Sequence, residues 1–116
     1  MKDDTLYLVH IYESIVRIET YLQGVSPKQF IEDSLTQDAV LRNLQILAES
    51  TQRLSDDFKD KHQETEWDKI SGLRNILVHD YLGIDIETVW NIIDKKMPEL
   101  KLAIKDHLPE FPENKA

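Results

Sequence analysis

Arg74-Asn75-Ile76-Leu77-Val78-His79-Asp80-Tyr81 reads as helix and carries a permanent cation, a near-neutral base and a phenol within eight residues. On an ideal helix each residue advances ~100° and rises ~1.5 Å, so Arg74 and Tyr81, seven apart, lie almost on one face, ~10 Å apart along the axis. Both can look into one cleft. His79 lies five residues beyond Arg74, ~140° around the cylinder, but four beyond Asn75, whose amide can therefore hydrogen-bond and orient the imidazole. A straight, solitary helix does not bring Arg74 and His79 to one point. A shared site needs either unwinding near Gly83 or a second copy of the helix across a twofold axis, and the second is expected here. On these residues alone a plainer reading stays open, with Ile76, Leu77 and Val78 as core, Arg74 and Asp80 solvated, and His79 a hydrogen-bonded spectator.

Working outward, the same helical rhythm recurs. Asp3 or Asp4 can cap a first helix in which Leu8, Ile11, Ile15, Ile18 and Leu22 repeat at spacings of three and four, ending at Gly24. Ser26-Pro27-Lys28-Gln29 reads as a capping box, with Gln29 reaching back, and opens a short helix through Phe30 and Ile31. From about Leu35 to Leu54, Val40, Leu44, Leu47, Thr51 and Leu54 form a second long stripe, with Gln37, Arg42, Asn43 and Gln45 elsewhere on the surface. Glu49 sits there among mostly apolar neighbours, either as a backbone-paired acid or as a group that positions Arg74.

Ser55 to Glu66 lose the period and read as a solvated connection pinned by Phe58. Helix resumes near Trp67. Gly72 inside it should cost ~1 kcal/mol relative to Ala unless another helix approaches closely. Gly83 is expected to end that helix and Asp85 to cap the last one, whose stripe is Val89, Ile93, Met97, Leu100 and Ile104. Pro98 should bend or split it. The expected fold is all-α, an up-and-down four-helix bundle with a short extra helix, as a single domain over residues 1–108 followed by a tail, 109–116. With Phe30, Trp67 and Trp90 to bury, such a bundle is expected to close its core against a twin.

The chain has 116 residues, 41% hydrophobic and 31% charged, which suits one globular domain. No apolar run approaches the ~20 residues that span a bilayer, and no charged-then-apolar leader opens the chain, so no membrane association and a cytoplasmic location are expected. Cysteine is absent, which excludes disulfides, thiolate metal sites and a Cys nucleophile. A formal charge of -8 opposes a general nucleic-acid coat. An RNA substrate would require a local basic cleft centred on Arg74, or a basic partner over the acidic surface.

The pattern Trp67-x-x-Ile70-x-Gly72-x-Arg74-Asn75-x-Leu77-Val78-His79-x-Tyr81 contains R-x4-H-x-Y, and with it the chain resembles the HEPN superfamily and, within it, the HepT-like ribonuclease toxins. The likeness extends to Ser26-Pro27-x-x-Phe30, Ala48-Glu49 and Asp85 to Leu100. The resemblance implies a HEPN-like bundle that dimerises so that two R-x4-H motifs face one cleft and acts as a metal-independent RNase. It also implies restraint by a nucleotidyltransferase-fold (MntA-like) antitoxin, which can adenylylate the motif tyrosine, here Tyr81, to O-AMP-tyrosine.

The residues suit that chemistry. Metal-free RNA cleavage needs a group to take the 2'-OH proton, a donor for the departing 5'-oxygen and positive charge beside the phosphorane. His79, with an unperturbed pKa of ~6.5, can serve as base or acid. Arg74 offers a planar fork to non-bridging oxygens. The products would be a 2',3'-cyclic phosphate and a 5'-hydroxyl. Arg74 and His79 are thus the catalytic candidates, with Asn75, Tyr81 and Glu49 in support and no metal or cofactor expected. None of His10, His62, His79 and His107 follows a Glu by three residues as di-iron sites require, and no phosphate-cradling Gly-rich loop, H-E-x-x-H or nucleophile elbow is found. His10, His62 and His107 read as surface or boundary residues. Two alternatives remain: a non-catalytic nucleotide- or substrate-binding partner subunit of a nucleotidyltransferase, or a dimeric scaffold.

Overall fold

The apolar stripe of the first segment becomes the inner face of α1 (Thr5–Tyr21), where Ile11, Ile15 and Ile18 lose all contact with solvent. This is a computed structural model, and it describes residues 4–79 and 85–108. Gly24 turns the chain with a φ of 76°, a left-handed conformation in which a side chain would be strained. The capping box then forms as its sequence demands: Gln29 N donates to Ser26 Oγ at 3.1 Å and Ser26 N donates to Gln29 Oε1 at 2.8 Å, opening α2 (Pro27–Glu32).

Asp33 ends α2 and caps α3 (Ser34–Arg53), accepting from Thr36 N at 3.1 Å. Val40, Leu44, Leu47 and Ala48 are buried along α3. This helix packs on α1 on one side and on α5 (Trp67–His79) on the other, while α6 (Ile86–Lys105) closes over α1 and α2. Asp85 caps α6, accepting from Glu87 N at 3.1 Å. Four long helices around one apolar core, with no strand among the described residues, make the all-α, HEPN-like bundle that the periodicity implies.

Several local expectations need correction. Asp4 stands at the N-cap of α1 without a side-chain capping bond. Its two oxygens instead accept from Ser55 N at 2.8 Å and Ser55 Oγ at 2.7 Å, charge-assisted bonds that tie the start of α1 to the end of α3. The Ser55–Glu66 connection is not all loop. It holds a short helix, α4 (Asp56–Asp60), capped by Ser55 and seated on buried Phe58, and five residues are too few to display a period.

Pro98 does not split the last helix, which runs unbroken through it. Pro98 is exposed, so the carbonyl deprived of its partner can turn to water. Phe30 and Trp67 are buried within the single chain, and Trp90 is half-buried with its ring centroid 5.3 Å from that of Phe30. Phe30 and Trp67 therefore need no twin to cover them. The expected end of the motif helix at Gly83 and the expected tail at 109–116 lie outside the described residues. Among those residues, no helix is long and apolar enough to cross a membrane.

Candidate functional site

Helix α5 presents Trp67, Ile70, Leu73 and Leu77 inward at spacings of three, three and four. Arg74, one step around from Leu73, is thereby placed at the margin of the buried stripe, and Asn75 faces outward. Contacts at successive levels show that α5 runs antiparallel to α3. Gln52 Nε2 donates to Ser71 O at 3.0 Å, Arg74 Nε lies 3.8 Å from Glu49 Oε2, and Leu77 shares a cavity of about 170 Å³ with Asp38, Leu41, Arg42 and Gln45. The groove between the two helices therefore passes from Ser71 through the Arg74–Glu49 pair towards the C-terminal end of α5, which His79 occupies.

The Arg74 and Glu49 side chains are 40% and 43% exposed. At 3.8 Å in a solvated setting the pair orients more than it stabilises, being worth at most about 1 kcal/mol. The contact engages Nε, and among the described residues the terminal guanidinium nitrogens make no hydrogen bond. Glu49 thus stands beside Arg74. The side chain of His79 and the whole of Tyr81 lie outside the described residues, and with them the anticipated Asn75–His79 hydrogen bond. The backbone of α5 is helical through His79, so no unwinding separates Arg74 from His79.

Gly72 departs from expectation. An added Cβ would meet no atom of the described residues within 4 Å, so none of the described helices closes over it. Within the protomer its helix penalty of about 1 kcal/mol is uncompensated.

The start of α5 is held firmly. Trp67 Nε1 donates to His62 O at 3.0 Å, and the indole meets Phe58 edge-on. Glu66 receives hydrogen bonds from Lys96 of α6 and a salt bridge from Lys69 at 3.0 Å, and these ammonium groups hold its carboxyl below the usual range. Sequence reasoning missed one aromatic cluster. His62, a boundary residue as expected, stacks edge-to-face with His107, ring centroids 4.7 Å apart, around Phe58. It also left Arg42 and Gln45 as general surface and did not single out Gln52. With Asp38 and Glu49 they recur at spacings of four, three, four and three, a polar stripe beside the apolar one, and that was the available signal. No three His, Cys, Asp or Glu side chains among the described residues come within reach of one metal ion.

Comparison with known proteins places this geometry. A family model described as "Ribonuclease HepT-like" matches residues 11–107. A "Putative RNase" of Caldanaerobacter subterraneus subsp. tengcongensis is 32% identical over 93% of this chain and 96% of its own length. A "Probable ribonuclease HepT" of Thermococcus cleftensis is 35% identical over 82% of this chain and 86% of its own. A "Gamma-glutamylcyclotransferase and putative RNase" of Methanocaldococcus jannaschii is 34% identical over 98% of this chain, which spans only 51% of that longer relative. No solved structure matches. With the match covering nearly the whole bundle, including Glu49, Arg74 and His79, this chain belongs to the ribonuclease HepT-like family.

Proposed function

We propose that this chain is a metal-independent endoribonuclease, the toxin of a toxin-antitoxin pair, which cleaves RNA in a cleft between two copies of itself. Ribonuclease activity is the family's property as its relatives are named, and the finer reading rests mainly on one observation. Arg74, steadied by Glu49 at 3.8 Å, stands at the α3–α5 groove on the same unbroken helix that carries His79. Arg74 would hold the non-bridging oxygens of the scissile phosphate. His79 would take the 2'-OH proton or supply the proton that the 5'-oxygen needs to leave.

Because the backbone is helical through His79, positions 74 and 79 lie ~140° apart around it, which supports a site completed by a twin. The uncovered Gly72 on the same helix is where a second backbone could come near. The partner that restrains the toxin is a nucleotidyltransferase-fold antitoxin. It would transfer an adenylyl group from ATP to the Tyr81 hydroxyl, with pyrophosphate leaving, and so set a negative phosphodiester near Arg74. A cytoplasmic site of action goes with an RNA substrate, and residues 1–108 would form the functional unit.

The purified protein should cut single-stranded RNA in excess EDTA and leave 2',3'-cyclic phosphate ends. Arg74→Ala and His79→Ala should each lose on the order of 10²-fold to 10⁴-fold in rate with an unchanged helical spectrum. Cleavage by both variants at the parental rate would end the assignment. After coexpression with a nucleotidyltransferase-fold antitoxin, an intact mass raised by one adenylyl group in the parent but not in Tyr81→Phe is the expected mark of the pairing. The charge of -8 favours a second reading, a non-catalytic nucleotide-binding subunit of such an enzyme. Nucleotide bound at Arg74 with no RNA cleavage would select it.

A further inference from the structure

We infer that the exposed ridge of α3 beside the candidate site is a track for the RNA strand, on which Arg42 and Arg53 hold phosphates flanking the scissile one. The inference rests on the ribonuclease reading above and adds binding subsites to it. Arg42 and Arg53 are eleven residues apart, which puts them within ~20° of one another around the helix and ~16 Å apart along it. Glu49, which pairs with Arg74, lies between them, ~10 Å beyond Arg42 and ~6 Å before Arg53. Positions 42, 49 and 53 therefore follow one line along α3, and Arg74 pairs with its middle member from α5.

Exposure and pairing agree with this use. Arg42 and Arg53 are both exposed, and among the described residues neither makes an ion pair or a side-chain hydrogen bond. Arg42 lines the cavity that Leu77 closes from α5, two residues before His79. It therefore flanks the catalytic end of the groove. The ridge carries Arg42, Arg53 and Arg74 against Asp38 and Glu49, locally positive on a chain whose formal charge is -8. That is the local basic footprint an RNA enzyme requires on an acidic background.

Single-stranded oligoribonucleotides and a dinucleoside monophosphate, which carries only the scissile phosphate, distinguish the track from the catalytic centre. Arg42→Ala and Arg53→Ala should each raise KM for the oligomer roughly threefold to tenfold, with kcat within about twofold. Each should also flatten the log–log salt dependence of oligomer binding by about 0.7, the amount for one single-strand phosphate contact. Cleavage of the dinucleoside monophosphate should be unchanged by either variant and lost in Arg74→Ala. Lys95→Ala on α6, away from the ridge, should leave the salt slope unchanged.

Unaltered KM and salt slope in Arg42→Ala and Arg53→Ala would overturn the track, as would an equal loss on the dinucleoside monophosphate. If the parent binds RNA but does not cleave it, the proposed activity falls, and the salt slopes alone still decide the track. Arg42→Lys, which keeps the charge without the fork, should restore most of the slope.

Discussion

Along α1 and α3 the stripe residues are sealed from solvent, with Ile11, Ile15, Ile18, Leu44 and Leu47 all at 1% exposure or less. In α5 the inner residues Ile70, Leu73 and Leu77 keep 5 to 7%, Gly72 lies under open space and Arg74 stands half in water. Helices α1 and α3 pack most extensively on each other, and α5 packs mainly on α3. The difference teaches a division of labour: α1 and α3 hold the fold, and α5 is mounted on α3 with its chemical side left accessible. Replacing a side chain of the first kind should act on stability, and one of the second kind on activity.

The largest break in that comparison comes from Leu44→Ala. Truncation at a site 1% exposed removes transfer energy and leaves a cavity, so a loss of about 2–5 kcal/mol is expected in urea denaturation. Arg74→Ala should shift the same midpoint by no more than about 1 kcal/mol, since its ion pair is solvated. Equal destabilisation by the two would mean that α5 is as much core as α3.

Gly72→Ala sharpens the contrast at an intermediate scale. With nothing within 4 Å of the new methyl group, the isolated protomer should gain up to about 1 kcal/mol, read by denaturation at high dilution. If the glycine serves a second protomer, the same change should weaken self-association in sedimentation equilibrium. Stabilisation without any effect on association would remove Gly72 from the interface.

The same contrast explains what could be read from the sequence. The stripes of α1, α3 and α6 were legible because burial on one face imposes a period of three and four, and the caps at Ser26 and Asp85 because few residue types satisfy orphan amides. Asp4 was misread because its competing partner, Ser55, is 51 positions away, and local rules contain no tertiary neighbours. The α4 turn was too short for any period, and the expected split at Pro98 rested on its lost bond alone, without regard to the exposed position at which that loss falls. At the site, the residue types at Arg74 and Glu49 could be named, but that they face one another depends on the antiparallel register of α3 and α5, which only packing sets.

The smallest effect concerns how α5 is mounted. At its start, hydrogen bonds from Lys96 and then Lys69 lower the Glu66 pKa from an ordinary value near 4.5, and Glu66 in turn raises that of Lys96 from 10.5. A carboxyl whose pKa is lowered on folding adds stability that is present above its unfolded value and lost as pH falls through the folded one. The raised Lys96 adds stability that is present below its unfolded value and lost as pH climbs through the folded one. At the start of α3, Asp33 is also held low, by the Thr36 hydroxyl at 2.6 Å and then by the Thr36 amide. Glu66→Gln and Asp33→Asn should therefore each lower the melting temperature slightly at neutral pH, and both differences should vanish in acid. Hydrogen exchange should separate them, with faster exchange confined to α5 in Glu66→Gln and to the first turns of α3 in Asp33→Asn. If Glu66→Gln instead loosens α1 and α3, the motif helix is not mounted on a separate core but is part of one cooperative unit with it.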